Sequence, residues 1–115
     1  MAEASDNPAP KLENDLRRGV LVLAVLSQLR GFQYGYSLRH ALAERGMPIE
    51  EGTLYPLLRR LEGQGLLASE WRIEDGPPRR YYRLNDTGEA LLADLTASWG
   101  SLVATMAGLL QGEGQ

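Results

Sequence analysis

The sequence predicts a mostly α-helical domain that carries one small β-hairpin and ends in a long helix. Three observations predict it. Three stretches hold apolar residues at helical spacing, two short alternating runs follow around the turn DGPPR, and a heptad seam closes the chain. At 115 residues this is one domain, large enough for a real core. With no cysteine it has no disulfide framework and no thiolate metal site, which fits a reducing compartment. The acidic, polar start does not resemble a secretory signal, and the longest apolar run, Val20 to Leu26, is far short of the ~20 residues of a membrane span. A soluble, cytoplasmic protein without a membrane partner is expected.

Taken in order, residues 1–12 read as a disordered tail, rich in proline and acid and poor in bulk. Residues 13–85 form the main domain and 86–111 a C-terminal helix. Leu16 to Arg30 is the first helix. Its centre, GVLVLAVLSQL, is apolar nearly all round and must be covered on more than one side, a first hint of a partner chain. Gly31 punctuates, and Tyr34 to Arg45 forms a second helix, ended by Gly46 and Pro48, with Leu38, Ala41 and Leu42 facing inward. His40, the only histidine, has no second ligand candidate and reads as a surface or boundary residue.

The third helix lies within EGTLYPLLRRLEGQGLL, Glu51 to Leu67, and ends at Gly63 and Gly65. Leu54, Leu57, Leu58 and Leu61 share one narrow face. The opposite face carries Gly52, Pro56, Arg59 and Gly63, flanked by Thr53 and Arg60 on one side and Tyr55 on the other. Two readings of this helix stand: a solvated amphipathic helix, or one that approaches a polyanion, where small residues admit the backbone and hydroxyl and guanidinium groups bond phosphate or base edges. Pro56 removes a hydrogen bond to Gly52, so a bent or late-starting helix is expected.

Leu67 to Glu74 and Arg80 to Leu84 then alternate around a Gly-Pro-Pro turn, which makes a stiff-tipped hairpin. Arg79 and Arg80 at the tip have no core to serve, whereas Trp71 reads as hairpin packing. Asn85 or Asp86 caps the last helix, with Asp86 and Glu89 in capping-box spacing. That helix runs to about Leu110. Leu92, Leu95, Trp99, Leu102, Met106 and Leu109 recur at alternating steps of three and four, and Val103 widens the stripe. A homodimer joined through the first and last helices with two-fold symmetry is expected.

Charge distribution favours the polyanion. The chain carries a formal charge of −3. Yet between Thr53 and Arg83 six arginines outnumber four acids, so basic charge is confined to the third helix and the hairpin. An enzyme is the weakest reading: one histidine, no cysteine and no pairing of nucleophile and base. No cofactor and no metal are expected. The acidic total keeps a protein-interaction module without DNA binding as the rival.

Three helices, the third basic on its outer face, followed by a hairpin with arginines at its tip, is the winged helix-turn-helix order, in which the third helix (about 51–63) enters the major groove and the wing (about 67–84) reaches the backbone. YGYSL, GTLYPLLRRLEGQGLL and GPPRRYYRLNDTGEALL together resemble the PadR-like transcriptional regulators over Leu16 to about Leu110. The resemblance implies a dimeric repressor on a double-stranded operator with two related half-sites. It implies that Thr53, Tyr55, Pro56 and Arg59, with Arg60 beside them, face DNA, that Tyr36 and Ser37 lie near phosphate, and that Arg79, Arg80 and Tyr81 belong to the wing. A single helix after the wing resembles the short branch, in which some multidrug-responsive members hold flat aromatic drugs between paired tryptophans. Trp99, in ASWGSL, falls at that position, so a planar aromatic ligand is the expected small-molecule partner. Ala97, Ser98, Gly100 and Ser101 leave room beside its indole, although the same residue fits a filled seam equally.

Overall fold

The leucines of the third helix organise the core. The computed structural model describes residues 7–112, with α1 (Ala9–Ser27), β1 (Gln33–Tyr34), α2 (Gly35–Glu44), α3 (Glu51–Gly63), β2 (Leu67–Arg72), β3 (Arg79–Leu84) and α4 (Asp86–Leu110) in chain order. Leu54, Leu57, Leu58 and Leu61 of α3 are all buried, among Val25 and Leu26 of α1, Leu38 and Leu42 of α2, and Leu67, Tyr82 and Leu84 of the sheet. Each such leucine contributes about 1.5–3 kcal/mol by leaving water, so the face of α3 that points inward is fixed. The mostly helical architecture with a small sheet is the one expected.

Several boundaries differ from the expectation. The first helix starts at Ala9, not Leu16, so residues 9–12 are helical and not tail; Pro8 and Pro10 suit a helix start, where a missing N–H costs nothing. Residues 1–6 of the expected tail lie outside the described residues. α3 does not start late: Thr53 and Leu54 N–H both donate to the Glu50 carbonyl, and Pro56 sits inside a continuous helix. The residue four back, whose carbonyl a proline ring crowds, is Gly52, and its open surroundings let the first turn adjust.

The hairpin is the greater part of a three-stranded antiparallel sheet of order β1-β3-β2. Register pairs Ser69 with Tyr82 and Trp71 with Arg80, while β1 pairs Tyr34 with Tyr81. Between α2 and α3, Gly46 turns the chain with φ of 87°, and Arg39 braces the turn by donating to the Ile49 carbonyl and pairing with Glu51 at 3.2 Å. His40 is exposed, its Nε2 3.3 Å from Glu44.

The start of α4 is locked to the domain. Asn85, not Asp86, is the cap: its Oδ1 accepts the Gly88 N–H at 2.8 Å, and its Nδ2 donates to the Gly65 carbonyl at 2.9 Å. That placement makes Gly88 the third helical residue, so the Asp86–Glu89 capping box does not form. Leu92, expected at the dimer seam, is 2% exposed and belongs to the core, with Leu95 packed against it. Beyond them the helix emerges: Trp99 is 44% exposed, Leu102 57% and Leu109 68%, with Val103 and Met106 also exposed. By length and composition alone α4 is long and apolar enough to cross a membrane, although none of its uninterrupted apolar runs reaches that length.

A methyl group at Gly88 would collide with the Leu66 backbone carbonyl, which cannot move without the strand. Gly88→Ala is therefore expected to destabilise the domain by about 1–3 kcal/mol in urea unfolding, outweighing the ~1 kcal/mol that alanine gains over glycine inside a helix. An unchanged or raised midpoint would show that α4 is not seated on Leu66.

Candidate nucleic-acid interface

Burying the leucine face of α3 leaves the other face in solvent. Thr53, Pro56, Arg59 and Arg60 are all exposed there. Among the described residues neither Arg59 nor Arg60 forms an ion pair, so both guanidinium groups are available. Alongside runs an open cleft of about 830 Å³ between α3, the start of α2 and the hairpin. It is lined by Tyr36, Tyr55, Arg59, Arg79 and Arg80 of the expected residues, together with Tyr34, Gly35, Glu62, Gly63, Trp71, Pro78 and Tyr82. Three arginines, five aromatic side chains and one acid make a surface suited to phosphate and to the flat faces and edges of bases.

The residues do not all present themselves as the sequence suggested. Tyr55 is half-buried, and its ring rests on Gly35, where any Cβ would collide with it. The glycine of YGYSL is thus explained by packing: it lets α3 approach the first turn of α2. The Ser37 hydroxyl is occupied, accepting the Tyr34 N–H at 3.1 Å and donating to the Tyr34 carbonyl at 3.0 Å. It holds the start of α2, while Tyr36 beside it stands exposed and stacks on His40 with centroids 6.1 Å apart.

On β3, alternation sends Arg80 and Tyr82 to the α3 side and Tyr81 to the other. Tyr81 does not line the cleft. Its ring lies 5.2 Å from Tyr34, with the Arg72 guanidinium 4.2 Å from its centroid. Arg72 is sandwiched there, since Phe32 lies 4.7 Å from it, and it also pairs with Glu70 at 2.6 Å. Arg79 reaches over the Tyr34 ring at 4.7 Å and forms no ion pair among the described residues.

Arg80 corrects a second expectation. It is not a free cation at the hairpin tip: its Nη2 donates to both carboxylate oxygens of Glu62 at 3.1 Å. Glu62 also accepts the Ser69 hydroxyl at 2.5 Å. The Ser69 bond and the Arg80 guanidinium hold the Glu62 carboxyl below its usual value of 4.5, against the opposing pull of burial. Trp71, read as packing, is instead 63% exposed at the cleft edge, its ring 5.6 Å from the Arg80 guanidinium. Sequence reasoning passed over Glu62. The available signal was an acid one turn beyond Arg59, beside a basic face, which calls for a neutralising partner.

A second concavity lies far from the first. Leu16, Gly19, Val20 and Leu23 of α1 and Leu95, Ser98, Trp99, Leu102 and Met106 of α4 line an apolar groove of about 350 Å³. No cluster of three or more potential metal ligands occurs among the described residues.

The geometry agrees with known proteins over most of the chain. A PadR family transcriptional regulator from Eggerthella lenta is 50% identical, with a TM-score of 0.83, covering 93% of this chain and 96% of that one. A PadR-like transcriptional regulator from Bacillus cereus is 34% identical with a TM-score of 0.75, covering 86% of this chain and 99% of the other. The Mycobacterium tuberculosis transcriptional regulator Rv3488 is 46% identical over 61 residues, a stretch that spans 53% of this chain and 57% of that protein. The model of the transcriptional regulator PadR-like family matches residues 22–94, from the middle of α1 to the seated start of α4. The order of elements, the cleft and these likenesses converge: the chain belongs to the PadR-like family of transcriptional regulators and is not an enzyme.

Proposed function

We propose that the protein is a repressor that binds an operator duplex as a homodimer, with α3 in the major groove and the hairpin as a wing on the backbone. The observation that carries this reading is the α3 face opposite the leucines: Thr53, Pro56, Arg59 and Arg60 stand free of aliphatic bulk beside a cleft that Arg79 closes. Arg59 suits bidentate contact with a guanine edge, Arg79 a phosphate. The formal charge of −3 does not oppose this, because a polyanion senses the local surplus of arginine within about one Debye length, roughly 8–10 Å.

The exposed half of α4 supplies the partner surface. Trp99, Leu102, Met106 and Leu109 form an unpartnered stripe continuous with the groove against α1. Small residues such as Ala97, Gly100 and Ala104 fill the rest of the helix, and Asp86, Glu89 and Asp94 sit in its first half, a pattern suited to a second helix rather than to lipid. A second copy covers this stripe, and the cytoplasm is the place of action. A planar aromatic molecule entering the groove beside Trp99 relieves repression by changing how the two copies pack. Offset stacking on an indole contributes about 0.5–1.5 kcal/mol per pair beyond area burial.

The chain is expected to enrich a two-fold symmetric duplex from a random-sequence library, with half-sites roughly 34–36 Å apart. Arg59→Ala should cost about 1–3 kcal/mol and relax preference at one position, whereas Arg79→Ala should weaken all duplexes alike and reduce the salt slope by about one. Fluorescence polarisation across a salt series reads both. Absence of saturable duplex binding would move the protein to the class of interaction modules. For the groove, Trp71→Phe isolates the emission of Trp99, and planar aromatic compounds should quench it to saturation. Quenching that stays linear with concentration would remove the ligand site.

A further inference from the structure

We propose that Glu62 is the positioning residue that sets the angle of the wing against the recognition helix. This rests on the reading of α3 and the hairpin as two arms on one duplex. Three elements meet at its carboxylate. Glu62 stands in the last turn of α3, Ser69 on β2 donates to one of its oxygens at 2.5 Å, and Arg80 on β3 donates to both at 3.1 Å. No other hydrogen bond or ion pair among the described residues joins α3 to the hairpin.

Its place along the hairpin gives it leverage. The apolar core reaches only the base, where Leu67 and Leu84 are buried and paired, and the Ser69–Tyr82 pair. Two pairs beyond Tyr82 comes Arg80 opposite Trp71, and one step further the ladder ends with Arg79 opposite Arg72. Past the Glu62 contact the aliphatic core does not reach the tip, since Trp71 and Ile73 are exposed, and the last pair of the ladder rests on rings of the opposite face, Arg72 on Phe32 and Tyr81 and Arg79 on Tyr34. The carboxylate therefore grips the wing next to Arg79, the cation that the wing offers to phosphate.

The arrangement of Arg80 argues against a direct role in binding. Its Nη2 is committed to Glu62, its guanidinium lies 5.6 Å and 5.7 Å from the Trp71 and Tyr82 rings, and its Nε is buried without a partner. A cation recruited for DNA would expose its fork. Arg80 instead cancels the one acid in the cleft while fixing where β3 runs, and that leaves Arg79 as the wing's contact.

Glu62→Gln separates position from charge. It removes a negative charge from the cleft, so electrostatics alone predicts tighter binding and a steeper salt slope. Loss of the grip predicts the reverse: roughly threefold to tenfold weaker binding to the duplex that the wild-type chain selects from a random library. The salt slope should become shallower by up to about one as the Arg79 contact fails. Amide exchange across residues 73–79 should quicken while the thermal midpoint stays near wild type. The double variant Glu62→Gln with Arg80→Gln should bind no worse than the weaker single variant, because both break one contact. Equal or tighter binding by Glu62→Gln, or unaltered exchange at the tip, would overturn the proposal. Should the wild-type chain select no duplex, the reading as a DNA-binding repressor falls, and exchange at the tip in the free protein still decides whether Glu62 holds the wing.

Discussion

Burial of one narrow leucine face on α3 is the constraint from which the rest follows. Leu54, Leu57, Leu58 and Leu61 lie between α1, α2 and the sheet, and rotating the helix to hide any other face would strand them in water. At about 1.5–3 kcal/mol for each leucine, that rotation costs more than the whole margin of stability of many domains. The arginines need no attraction to point outward. They are outward because the leucines are inward, which is why Arg59 and Arg60 stand on the solvent side with no ion pair among the described residues.

The same constraint explains how an acidic chain can present a basic face. Glu62, on the last turn of α3, is the one acid that lines the cleft, and Arg80 is drawn down onto it from the neighbouring strand. Left unpaired, that carboxylate would repel phosphate at the point where helix and wing converge. Paired, it becomes the fastening between them. Ser69 contributes a second bond from β2, so the carboxylate ties both strands of the hairpin. Two partly exposed partners would give a weak ion pair in isolation, and its value lies in geometry more than in stability.

What could be read from the sequence was whatever depends on neighbours along the chain. The α3 leucines, the Gly-Pro-Pro turn and the step of three and four in α4 are local patterns, and the structure realises them over Glu51–Gly63, between Arg72 and Arg79, and over Asp86–Leu110. The start of α1 was misread because Pro8 and Pro10 look like a tail, although the same residues are favoured where a helix begins. β1 left no pattern, since two residues have no period, and only their pairing with Tyr81 and Tyr82 makes them a strand. The partner of Arg80 lies 18 residues away on another element, beyond any pattern along the chain. Leu92 shares its heptad spacing with the residues after it but is buried in the same core cluster as Leu84 and Leu66, so spacing alone could not tell an inner surface from an outer one.

α4 belongs to two environments, and its root is where they meet. Asn85 caps the helix while binding the Gly65 carbonyl, and its own N–H donates to the Leu66 carbonyl. Gly65 and Leu66 directly follow the last turn of α3, and Gly88 rests against the same Leu66 backbone. No flexible linker intervenes between the helix proposed to join two copies and the helix proposed to read DNA. A change in the tilt of the exposed half of α4, such as a molecule wedged beside Trp99 would impose, has no slack to disappear into at that root. It must be taken up by bending α4 or passed through Leu66 to the end of α3, where Glu62 and the wing are fastened. Packed backbone contacts of this kind switch between discrete arrangements more readily than they deform. The short loop is thus where the helix proposed to join two copies and the helix proposed to read DNA are tied together, by Asn85 on the carbonyls of Gly65 and Leu66.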